Sequence, residues 1–121
     1  MNDQTKAYAL IALRGLLALV FVAAGGAKLA GDEHMVEVFE TVGVGQWFRF
    51  VTGALEVSMA ILLFVPGKQA LAAATLFCTM VGATLAHLFL LGPGAIAPGV
   101  LGVLCAVVVS AYRSQLQSIL G

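Results

Sequence analysis

Apolar residues run along this chain in four long blocks, and the few polar residues inside them recur at helical intervals. The first block covers about 8–30, from Tyr8 to Ala30, and is broken by Arg14 and Lys28. The second covers 47–65, the third 69–91, and the fourth, the least distinct, 95–112. A hydrocarbon core of about 30 Å takes roughly 17–25 residues of helix to cross, and each block has that length. Pro66-Gly67 divides the second block from the third, and Gly92-Pro93-Gly94 the third from the fourth; both are turn signals. Linkers this short leave no room for further domains. The pattern predicts an all-α chain, one membrane domain over 1–121 built as a bundle of four transmembrane helices.

Between the first two blocks the pattern changes. Residues 31–46 carry Asp32, Glu33, Glu37 and Glu40, interleaved with Met35, Val36, Val38, Phe39 and Val42 at helical spacing. This predicts a short amphipathic helix at the membrane interface, ended by Gly43 and Gly45, with Trp47 as an interfacial anchor. Leu16–Val22, followed by small residues, also resembles the apolar part of a secretory signal. The block is long enough to span, so it is predicted to be retained. A polar tail, Arg113–Gly121, closes the chain.

Composition agrees with a bilayer. Of 121 residues, 61% are hydrophobic and 10% charged, against about 25% charged in soluble domains. Six basic and six acidic residues cancel, and no basic patch exists for nucleic acid. Lys6, Lys68 and Arg113 fall at one end of the predicted bundle. Lys28 and Arg49 fall at the other. This weak bias predicts both termini in the cytoplasm. Cys78 and Cys105 lie in apolar runs without metal or redox spacing and read as small packing residues. Similar depth leaves a close approach between them open.

The polar interruptions share faces. Arg14, Phe21 and Lys28 recur every seven residues, as do Arg49, Glu56 and Leu63, and Ala73, Met80 and His87. Ionisable groups in a span face the bundle interior. Glu56 stands at mid-span, where a carboxylate costs about 2.5–3.5 kcal/mol on insertion scales. At 1.5 Å per residue, Arg14 lies about 9 Å and Glu56 about 14 Å from the same side. Arg14–Glu56 is therefore the leading expected ion pair, with Arg49, Lys28 and His87 as alternative neighbours. Ala70, Ala74, Cys78, Gly82 and Ala86 form a small-residue stripe, as do Gly102, Ala106 and Ser110, which predicts close packing of the third and fourth spans. His87 is the only histidine within a span, so a haem with two axial ligands is not expected, nor is a metal site.

Leu13-Arg14-Gly15, Phe21 and Gly25-Gly26-Ala27-Lys28-Leu29 resemble the first helix of the DoxX and DoxX-like family of small membrane proteins. Thr52-Gly53-Ala54-Leu55-Glu56 resembles its second helix, and Met80-Val81-Gly82-Ala83 with His87 its third. The resemblance implies a four-helix bundle, a link to quinone-dependent membrane oxidoreductase complexes, and a bacterial cytoplasmic-membrane location. It places Arg14, Lys28, Glu56 and His87 at matching positions and assigns no reaction.

Three functions compete. The leading expectation is an accessory subunit or assembly factor of an oxidoreductase-type complex, or a homo-oligomer, with no catalytic activity of its own. The second is a site between the helices for a quinone or another small apolar ligand. The third is transport of a small solute or proton, for which the chain is short. The candidate site residues under all three are Arg14, Lys28, Arg49, Glu56 and His87.

Overall fold

The computed structural model describes residues 2–120; Met1 and Gly121 lie outside the described residues. Among the described residues six α-helices follow in order: α1 (Asp3–Ala30), α2 (Glu33–Val42), α3 (Gln46–Leu62), α4 (Gln69–Ala86), α5 (Ile96–Ala111) and α6 (Arg113–Leu120). A π-helical turn, His87–Leu91, extends α4. Among the described residues there is no strand.

Helix α1 starts earlier than the apolar pattern does. The Asn2 side chain caps it, accepting from the Thr5 N–H at 2.7 Å, and draws the polar lead into the first turns. Gly31 (φ 78°) ends α1 and Gly43 (φ 82°) ends α2, each in the left-handed region that glycine enters without strain. The predicted amphipathic helix is thus α2, with Glu33, Glu37 and Glu40 exposed and Phe39 buried.

Two antiparallel hairpins make the bundle. Helix α1 packs along α3, and α4 packs along α5; contact between α3 and α4 is much thinner. The end where α1 starts and α5 finishes is solidly filled by Leu17, Phe21, Ala60, Leu63, Leu76 and Val108, none with exposed surface. The other end is covered by α2 and is not filled.

The expected close packing of α4 against α5 is formed, but only part of the α4 small-residue stripe lies in it. Met80 and Gly102 meet where α4 and α5 pack, whereas Cys78, Gly82 and Ala86 line an open space between α4 and α3. Cys105 is buried, Cys78 is exposed, and both are free thiols. The tail is not a plain polar end. Gln115 of α6 accepts from the Ala70 N–H at 2.9 Å and donates to Gln69 at 2.7 Å, capping the start of α4.

Among the described residues two helices, Asp3–Ala30 and Gln69–Leu91, are long and apolar enough to cross a membrane, and only 11% of each apolar window is buried. A core helix of a soluble protein would be mostly buried. Leu19 (70% exposed), Phe89 (78%) and Ile96 (81%) point away from the core on three different segments, far more apolar surface than a water-soluble monomer shows. Thr52, Thr75, Thr79 and Thr84 each donate to the carbonyl four residues back, which satisfies their hydroxyls without water.

Candidate functional site: a polar pair on the wall of an apolar cavity

Helices α1 and α3 cross with backbone against backbone. A Cβ on Gly25 would stand 2.7 Å from the Gly53 carbonyl oxygen, and one on Gly53 would stand 2.8 Å from that of Gly25. Only two glycines permit this approach. One turn beyond each lies an ionisable residue, Lys28 on α1 and Glu56 on α3. Side chains on a helix lean toward its N-terminus, so the Lys28 stem runs back past Gly53, where a Cβ would come within 2.9 Å of the Lys28 Cβ. Its ammonium ends 2.8 Å from Glu56 Oε1. Glu56 is 1% exposed and the Lys28 side chain 14%. At that distance the two form a charge-assisted ion pair.

Arg49 is also buried, at 7% exposure. It donates through Nη1 to the Lys28 carbonyl and through Nε to Gln46 Oε1, and its guanidinium lies 4.2 Å from the Phe50 ring centroid. Gln46 in turn donates to the Val36 carbonyl of α2 at 3.0 Å. One chain of bonds therefore ties the end of α1, the start of α3 and the middle of α2. The cation also sits at the C-terminus of α1, where orphaned carbonyls attract positive charge.

Lys28 and Glu56 form part of the wall of a cavity of about 470 Å³ between α3, α4 and α2. Phe39 and Val42 of α2 close its end, and His87 lines it at the start of the π-helical turn, which packs against α2. His87 Nδ1 is buried without a partner, packed on Gly94 so closely that a Cβ there would lie 3.1 Å from it. The rest of the lining is mostly apolar, with His34, Thr52 and Thr79 as its polar members.

The model of the DoxX-like family matches residues 12–110. The chain belongs to the DoxX-like family. No curated protein and no solved structure matches the chain significantly. DoxX-like proteins are membrane proteins, in agreement with the apolar exterior of this one. The family match covers all five expected site residues and the whole cavity wall.

Within this DoxX-like chain the expected Arg14–Glu56 pair is not formed. Arg14 lies beyond the packed layer of Phe21, Leu17 and Leu63. It donates to the Leu63 carbonyl at 2.9 Å, with Phe64 and Tyr112 rings 5.0 and 5.6 Å from its guanidinium. The physical reason is the end of α3. The Ile61 and Leu62 carbonyls accept from the Phe64 and Val65 N–H groups in a tightened last turn, and the next carbonyl, that of Leu63, accepts from the guanidinium. Of the five residues, Lys28, Glu56 and His87 line the cavity, Arg49 braces it from outside, and Arg14 belongs to the opposite end. The close approach of Gly25 and Gly53 was not read from the sequence. The signal was there, since each precedes an ionisable residue by three positions.

Proposed function

We propose that this chain is a four-helix membrane domain, with α1, α3, the α4–π unit and α5 as its spans, whose cavity binds a small, largely apolar molecule. One observation carries the reading: Glu56, the one buried carboxylate among the described residues, sits with Lys28 on the wall of a ligand-sized space instead of inside a filled core. Ligand sites commonly enclose about 300–1,000 Å³, mostly apolar with a few converging polar groups. A pair that served packing alone has no use for open space beside it. Lys6, Lys68 and Arg113 at the filled end favour that end, with both termini, facing the cytoplasm. The cavity then lies in the outer half, beneath α2.

Transport is the weaker reading, because the filled layer around Phe21 and Leu63 leaves the cavity with no continuation toward the other end. An accessory role in an oxidoreductase-type complex is compatible with ligand binding. Co-purification of a partner from native membranes tests that role. The binding reading is tested by native mass spectrometry of protein released from its own membranes. A discrete bound mass is expected, and it should be lost when Ala86→Phe fills the cavity. An identical adduct pattern in both proteins rejects the site.

A further inference from the structure

The cavity wall is uneven. Its exposed lining residues are chiefly Val51 and Leu55 on α3 and Cys78 and Gly82 on α4. These four flank the thin α3–α4 seam. A Cβ on Gly82 would meet nothing within 4 Å. Toward α2 the wall is closed by Met35, Val38, Phe39 and Val42, all buried or half-buried; His34 and Phe48 are the exposed residues there. The opening thus faces the side of the bundle, where apolar residues are exposed and hydrocarbon would lie.

The polar end of the cavity is electrically balanced. Lys28 offers donors, and Glu56 offers acceptor lone pairs. An anionic head placed at Lys28 would compete with Glu56 and leave a buried carboxylate uncompensated. A cationic head at Glu56 would do the same to Lys28. Either outcome is costly in a low-dielectric site. A neutral hydroxyl accepts from Lys28 and donates to Glu56 at once, and so keeps the pair intact.

Resting on the cavity being a binding site, we propose that it takes an uncharged, long-chain amphiphile dissolved in the bilayer. The molecule enters sideways between α3 and α4 past Cys78 and Gly82, and its hydrogen-bonding head stops at Lys28–Glu56. The ligand class is a neutral lipid carrying a hydroxyl, not a charged fatty acid, amine or phospholipid.

Cys78 on the portal is the reporter, and buried Cys105 is the internal reference. The protein is reconstituted in phosphatidylcholine nanodiscs, and alkylation of each cysteine is followed by peptide mass mapping. The probes share one chain: hexadecanol, palmitate, hexadecylamine and hexadecane. Hexadecanol is expected to slow labelling of Cys78 by N-ethylmaleimide several-fold, well beyond the other three. Palmitate or hexadecylamine protecting as well as the alcohol overturns the neutral class while leaving the binding site standing. Protection by none of the probes overturns both. Equal labelling by a charged, water-soluble maleimide overturns the sideways route. In Lys28→Met/Glu56→Leu, checked for monodispersity, hexadecanol is expected to protect no better than hexadecane. A persisting preference for the alcohol overturns the placement of the head.

Discussion

Lys28 and Glu56 meet because Gly25 and Gly53, three residues before them, let two helices touch backbone to backbone. The ion pair and the crossing are one feature. Without the crossing, the lysine stem has no lane past α3.

Gly25→Ala and Gly53→Ala should therefore both destabilise the protein, by about 1–3 kcal/mol, the usual cost of overpacking. Gly15→Ala and Gly26→Ala should be neutral or stabilising by up to about 1 kcal/mol, since nothing lies within 4 Å of the added Cβ. Thermal unfolding in detergent, followed by circular dichroism, separates the two sets. Equal effects at all four positions would contradict the crossing.

The two arginines act reciprocally. Arg14 of α1 donates to the end of α3 at Leu63, and Arg49 of α3 donates to the end of α1 at Lys28. Each substitution to Met should cost about 1.5–3 kcal/mol, the range for hydrogen bonds to charged groups. Arg49→Lys should rescue little, because an ammonium cannot span both Gln46 and Lys28 as the planar fork does. The same melts measure this; full rescue by lysine would show that charge alone suffices.

Removing one member of the buried pair should be worse than removing both. Lys28→Met leaves Glu56 uncompensated and should cost about 3–5 kcal/mol, whereas Lys28→Met/Glu56→Leu should recover most of that loss. A double-mutant cycle on stability checks it. Additive single effects would mean that the two groups do not interact.

Helix α6 should matter more than its polarity suggests. Gln115→Ala removes the bond to the Ala70 N–H and should destabilise by about 0.5–2 kcal/mol, the range for a lost cap. Faster amide hydrogen exchange at the start of α4 is the local readout. Unchanged exchange there would leave Gln115 without a capping role.

Much of the fold was legible because a helix repeats. Seven-residue spacing placed Phe21, Glu56, Leu63, Ala73 and Met80 on inward faces, and all five are buried. Pairing between faces was not legible. Counting depth at a fixed rise per residue set Arg14 near Glu56, but it ignored the direction in which side chains lean and the pull of an unpaired helix end. Those two effects sent Arg14 to Leu63 and drew Lys28 back to Glu56. The capping role of α6 was hidden because Gln115 reads as polar tail until Ala70 is beside it. The cavity was hidden for a related reason: Cys78 and Gly82 look like packing residues, and only the thin α3–α4 seam turns them into a portal.

The most direct test is a crystal structure grown in a lipidic phase, with attention to the space between Glu56 and His87. Elongated non-protein density is expected there, with one end within hydrogen-bond reach of Lys28 and Glu56. Collapse of α4 onto α3, closing the space around a dry ion pair, would contradict a binding role for the cavity.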